Sequence, residues 1–239
     1  MPQKTYLWIE DRKDKSSYLF WKTLMHYISA DIIVESKNNN SELIKAVKAL
    51  KDDKNKYIIV LDNSFDNLQI YQEYKELKNY VKNKKNIYML DIICFEYILL
   101  EFKSLINWIY AEDDEFLTKR AKTIIAREKF INSITSGNMN YKDINEIISY
   151  DCNLKNYNVE QLSAKLLFDL TRNTGFEVTK GNIGDCWIKS CCKWDNRQSD
   201  DKCGLDNKRL DIDKKMKKIY KETSLCKEFS KIGLEVSIW

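Results

Sequence analysis

Apolar residues in the first hundred positions come in two rhythms: short unbroken runs, and longer stretches spaced three and four apart. The runs fall at 6–9 (Tyr6-Leu7-Trp8-Ile9), at 57–61 and, within the expected strands 31–35 and 86–90, at Ile32-Ile33-Val34 and Ile87-Tyr88-Met89-Leu90. Segment 57–61 is wholly apolar, as a strand buried on both faces requires. Between the runs the spacing is helical. Leu19, Phe20, Thr23, Leu24 and Tyr27 share one face of a helix that Ser16 or Ser17 can cap and that reaches about 29. After a loop at Asn38-Asn39-Asn40, Ser41 can cap a second helix carrying Leu43, Ile44, Val47 and Leu50. Ile70, Tyr74, Leu77 and Val81 mark a third over Leu68–Val81, and a fourth runs from about 94 to 110. The order βαβαβαβα predicts an α/β fold, a four-stranded parallel sheet with right-handed crossovers and helices on both faces.

The second half loses this alternation. Helices are expected over 112–136, over 141–150, over 159–172 behind Asn158 as cap, and over a charged stretch at 211–231. A cysteine-rich loop occupies 181–204. The chain thus divides into an α/β unit at 1–110 and a mostly helical region at 111–239, with the boundary near Tyr110 to Asp114.

Composition narrows the class. Hydrophobic residues at 44% and charged residues at 32% describe a folded globular protein rather than a disordered one. No apolar run approaches the roughly 20 residues needed to span a bilayer, since the longest, 89–100, is interrupted by Asp91 and Glu96. The N-terminus lacks the apolar core of a signal peptide, so the expected location is the cytoplasm, with no membrane partner. A net charge of +4 is too balanced to argue nucleic-acid binding by itself. Basic clusters at Lys119-Arg120, Lys122 and Arg127, and at Lys208-Arg209, Lys214-Lys215 and Lys217-Lys218, read first as solvated helix faces. One Pro and six Gly among many Lys, Asn and Ile suggest an AT-rich bacterial or mobile-element gene.

The candidate chemistry sits just past two strands. Glu10-Asp11 follow the first, and Asp62, with Asp66 four residues on, follows the third. Carboxyl ends of parallel strands open onto a common crevice, where acidic groups from separate strands can share a hard cation such as Mg²⁺ or Mn²⁺.

Residues 1–110 resemble a TOPRIM domain, the fold shared by topoisomerases, bacterial primases and the nucleases of the overcoming-lysogenisation-defect type. The likeness is greatest to small TOPRIM-like proteins of bacterial defence islands. Trp8-Ile9-Glu10-Asp11, then Asp14 and the aromatics Tyr18, Phe20 and Trp21, stand where that family has its first acidic strand end and following helix. Asp62-Asn63-Ser64-Phe65-Asp66 stands in place of its Asp-x-Asp-x-Asp pattern, and Asp91 to Tyr97 in place of a strand running into a helix with a Glu. The polar loop 36–41 also matches. Two positions depart from the pattern: Asp11 replaces a glycine and Ser64 replaces an aspartate.

The resemblance implies a Mg²⁺-dependent nuclease acting on DNA or RNA, an effector of phage defence with an ATPase partner. Glu10, Asp62 and Asp66 would be its catalytic metal ligands, Glu10 also a general acid or base, with Asp14, Ser64 and Glu96 in support. The alternative is a catalytically inactive TOPRIM-like binding or regulatory protein.

Cys186, Cys191, Cys192 and Cys203 form a second constellation, spaced C-x₄-CC-x₁₀-C. Four thiolates can hold a structural Zn²⁺, and buried unligated thiols or redox chemistry are the other readings. Trp187 and Trp194, interleaved with Lys189, Lys193 and Arg197, can stack on bases or pack a small core. Cys94 is expected in the core, and His26, the only histidine, in packing or at the surface. Neither a P-loop nor a G-x-G-x-x-G is present, which argues against an intrinsic NTPase or a Rossmann dehydrogenase.

Overall fold

In a computed structural model, residues 2–109, 116–137, 157–191, 205 and 209–234 are described. The first half is the expected all-parallel sheet, built from β1 (Thr5–Ile9), β2 (Ile32–Ser36), β3 (Lys56–Val60) and β4 (Ile87–Met89) in the order β2-β1-β3-β4. Thr5 pairs with Ile32 on one side and Lys56 on the other, and Tyr57 pairs with Ile87. Side chains alternate between faces, as the pleat dictates. Leu7, Ile9, Ile58 and Val60 point into one core, while Trp8, Tyr57 and Ile59 point into another.

The helices α1 (Ser16–Ile28), α2 (Asn40–Ala49) and α3 (Leu68–Val81) divide accordingly. Leu43 and Val47 of α2 and Tyr74, Leu77 and Val81 of α3 fill the core under Trp8. Phe20, Trp21 and Leu24 of α1 fill the opposite one. The chain leaves β1 toward one edge for β2 and returns past it to β3. The connections therefore diverge between β1 and β3, the position where such sheets open a crevice.

Two expected helices are each broken. The stretch at 94–110 forms α4 (Phe95–Glu101) and α5 (Leu105–Ile109), separated at Phe102, whose ψ is 115°. The final charged stretch forms α9 (Ile212–Glu222) and α10 (Ser224–Lys231), separated at Thr223. The interrupted backbone finds partners across the fold. Arg127 donates to the carbonyls of Leu100 and Phe102 at 2.6 and 2.9 Å. Glu222 accepts from Ser104 N–H and hydroxyl at 3.0 and 2.8 Å, and Glu101 accepts from Ser224 N–H and hydroxyl at 2.6 and 2.5 Å. Each acidic residue thus caps a break in the other segment, so that orphaned helix-end groups are satisfied.

The second half contributes α6 (Leu117–Ser136), α7 (Val159–Thr171), an unanticipated antiparallel hairpin of β5 (Val178–Thr179) and β6 (Asn182–Ile183), and α8 (Asp185–Ile188). Its apolar residues join the α1 and α4 side of the sheet in one continuous core, which holds Phe102, Trp108, Phe176, Trp187, Met216 and Phe229. The hairpin and α8 meet by a close approach that only glycine permits. A Cβ on Gly184 would lie 2.2 Å from the Gly175 carbonyl oxygen. Lys215, fully buried, donates to the carbonyls of Cys186 and Lys189 at 2.9 and 3.1 Å and so closes the C-terminal end of α8. The expected boundary at 110–114 and helix at 141–150 lie outside the described residues. No helix among the described residues is long and apolar enough to cross a membrane.

Candidate functional site

Where β1 and β3 end, a cleft of about 410 Å³ opens. Glu10 is the first residue beyond β1, and Asp62 lies just beyond the last residue of β3, so neighbouring strands bring both to the floor. Asp11 accepts a hydrogen bond from Ser17 Oγ, which ties the strand end to the start of α1. This replaces the capping role expected of that serine: the N-cap of α1 is Lys15, without a side-chain cap. Ser16 donates instead to the Thr179 carbonyl, bringing the β5–β6 hairpin and its Lys180 to the rim.

The loop after β2 turns through Asn38, which adopts a left-handed φ of 71°, a conformation asparagine tolerates better than most residues. Asn39, rather than Ser41, caps α2 by accepting from Glu42 N–H at 2.9 Å. Glu96 enters from the first turn of α4, after Cys94, whose buried sulfur accepts from Tyr97 N–H at 3.4 Å. Glu160 enters from the first turn of α7, where Asn158 and Gln161 form a reciprocal capping box.

Five carboxylates, Glu10, Asp11, Asp62, Glu96 and Glu160, therefore line one cleft, with Arg12, Lys15 and Lys180 as its cations. Burial and mutual repulsion oppose ionisation here. Burial first, then the charges of Asp11, Glu160 and Glu96, push Glu10 up to about 8, against a hydrogen bond with Asp62 that lowers it. Asp62 is raised well above the usual carboxylate range by burial and then by Glu10. Burial raises Glu96 to about 7. Glu10 Oε2 is sealed from solvent and has no hydrogen-bond partner. Helix N-termini facing the cleft favour negative charge there, which offsets part of the repulsion.

Glu10, Asp62 and Glu96 are thus brought together, whereas the other expected site residues have different surroundings. Asp66 is exposed, and both of its oxygens accept from Val159 N–H, at 3.1 and 2.9 Å, at the start of α7. Ser64 is fully buried and donates to Glu160 Oε2 at 3.4 Å. Asp14 is exposed and paired with Arg12 at 3.5 Å and Lys15 at 3.8 Å. Among the described residues, no three His, Cys, Asp or Glu side chains stand ready to hold a metal ion. No family model, curated protein or solved structure matches the chain.

Of the zinc candidates, Cys192 and Cys203 lie outside the described residues. Cys191 is linked twice to Leu210: its N–H donates to the carbonyl at 3.0 Å and its sulfur accepts the N–H at 3.2 Å. Trp187 is fully buried with its indole N–H on the Phe176 carbonyl at 2.5 Å, which is packing rather than an open stacking platform. Trp194 lies outside the described residues. His26 is exposed. Sequence reasoning missed Glu160 and Lys180. The signal for Glu160 was an acidic residue in the first turn of a well-capped helix, a position where such residues are common without any function.

Proposed function

We propose that the cleft is the centre of a Mg²⁺- or Mn²⁺-dependent phosphodiesterase of TOPRIM type that cleaves DNA or RNA. The observation that carries this reading is the contact between Glu10 and Asp62, from adjacent strands, with a buried Glu10 oxygen left without a partner. Several carboxylates in one sealed place are stable only if protons or a cation offset their charge. The donor set is all oxygen, which suits a hard cation. Mg²⁺ is usually held by one or two carboxylates, with water and substrate phosphate filling the remaining positions. Glu10 and Asp62 fit that role, although the side chains do not form an all-protein cage.

A bound Mg²⁺ supplies polarisation of a phosphoryl oxygen and charge for an in-line displacement. This chain's own residues contribute the rest. Without a cation, burial and the neighbouring carboxylates raise the proton affinity of Glu10 to about 8. A bound cation would lower it, so that Glu10 would serve as an ionised ligand or pass a proton only as the cation's hold on it changes. Lys15, Lys180 and Arg12 at the rim can orient a phosphate-bearing chain. The role in phage defence and the ATPase partner follow from the resemblance alone.

A second reading, a non-catalytic binding or regulatory domain, is favoured by one observation. Ser64 and Asp66, both in the acidic motif, contact α7 rather than project freely into the cleft. Purified protein with Mg²⁺ or Mn²⁺ on plasmid, single-stranded DNA and total RNA separates the two. Cleavage abolished by Glu10→Gln and by Asp62→Asn, with folding retained, is the expected result. Cleavage that survives both changes overturns the mechanism, and none on any substrate hands the cleft to the second reading.

A further inference from the structure

Building on the phosphodiesterase reading of the cleft, we infer that it takes single-stranded nucleic acid one nucleotide at a time, with Lys180 on the phosphate and Asn38 and Asn40 on the base. The two banks of the cleft differ in chemistry. One lies on the side of the sheet that α1 and the β5–β6 hairpin cover, and it carries the cations Arg12, Lys15 and Lys180. The other lies on the side covered by α2 and α3, and it offers three asparagine amides and Ile70, with no charge.

Arg12 and Lys15 are both engaged by Asp14, at 3.5 and 3.8 Å, whereas Lys180 has no ion-pair partner among the described residues. Lys180 sits in the turn between β5 and β6. The Thr179 carbonyl before it accepts from the Ser16 hydroxyl, and the Thr179 hydroxyl accepts from Asn182 N–H at 3.1 Å. Gly184 N–H, just past the hairpin, donates to the Glu177 carbonyl at 2.7 Å. The backbone of Lys180 is thus ordered before a ligand arrives, which lowers the entropy cost of binding.

On the opposite bank the side-chain oxygen of Asn39 is committed to capping α2. Asn38 and Asn40 supply the amides that can pair with donors and acceptors on a base edge. Ile70 and Phe95 add apolar surface for the base itself. At about 410 Å³ the cleft lies at the small end of the range filled by drug-sized ligands, about 300–1,000 Å³. That space holds one nucleotide but not a base pair with both backbones, and enzymes with such pockets act on single strands or on an extruded nucleotide.

Fluorescence anisotropy of labelled single-stranded DNA and RNA oligonucleotides, and of their duplexes, tests this on the full chain. Binding is measured in chelator, and again with Mg²⁺ on Asp62→Asn, which by the proposed mechanism cannot cut. Single strands should bind at least about tenfold more tightly than duplexes. Lys180→Ala should weaken binding about fivefold for every sequence and reduce the slope of log affinity against log salt by about 0.7, the share of one phosphate contact. Asn40→Ala should leave that slope unchanged and weaken binding for some bases more than others.

An unchanged salt slope in Lys180→Ala would overturn the phosphate contact, and duplexes bound as tightly as single strands would overturn the substrate class. Single strands bound through Lys180 but left uncut by wild type with Mg²⁺ would remove the phosphodiesterase and leave the strand site standing. Duplex cut as readily as single strand would do the reverse. No binding of any probe in either condition would overturn the inference.

Discussion

Raising the pH should destabilise this protein through the range where most proteins are least sensitive, provided divalent cations are absent. Glu10 and Glu96 hold their protons in the folded state up to about 8 and about 7, but release them near the ordinary 4.5 once unfolded. Between those values the native state binds more protons than the unfolded state, so stability falls as pH rises. At 1.36 kcal/mol per unit, either group alone corresponds to a loss on the order of 3–5 kcal/mol. The groups repel each other, so the two losses do not add.

In a chain of this length, 1 kcal/mol moves the melting temperature by about 2–4 °C, giving a drop of roughly 6–20 °C between about pH 5 and about pH 8.5. Asp52, held down at about 2 chiefly by its hydrogen bond from Tyr57, and Asp91, also lowered, titrate below that window and do not blunt the effect. Melting followed by circular dichroism in chelator would record the fall. Millimolar Mg²⁺ should flatten it, and so should Glu10→Gln. A melting temperature that is level or rising across this range without divalent cations would refute the electrostatic account of the cleft.

Ser64→Asp would press a new carboxylate against Glu160 in a fully buried position. Without divalent cations it should cost at least about 2 kcal/mol in urea unfolding, partly recovered with Mg²⁺, and a stabilised variant would contradict the contact. Gly184→Ala brings a methyl group to 2.2 Å from the Gly175 oxygen and must displace backbone. A loss of about 1–3 kcal/mol and a changed Trp187 fluorescence are expected, and an unmoved denaturation midpoint would refute the close approach.

The strands and the pairing of Glu10 with Asp62 were legible because both depend on local pattern: apolar runs make strands, and parallel strands align their ends. The breaks at Phe102 and Thr223 were not. The helical spacing continues through both, and what replaces the lost helical bonds comes from residues 118 and 123 positions away. Asp66 shows a different limit. An aspartate after a strand reads the same in sequence whether it holds a metal or caps a distant helix. Ser16 and Ser17 looked like caps for their own helix, but tertiary partners, Thr179 and Asp11, claimed their hydroxyls. Glu160 belongs to a region whose sequence carried no site motif, and only the fold brings it 96 positions back to Ser64.

The order in which the chain is made has a consequence for how it is handled in the cell. The sheet is complete once β4 has emerged, yet Phe20, Trp21 and Leu24 of α1 share their core with Met216 of α9 and Phe229 of α10. At about 5–20 residues per second, those covering helices leave the ribosome on the order of 10 s or more after the sheet is ready. Phe95 of α4 packs on Phe20 soon after β4 has emerged, but throughout that interval the part of the face that the last helices cover stays open. Nascent chains of this protein should therefore be held by apolar-binding chaperones until the last helices arrive.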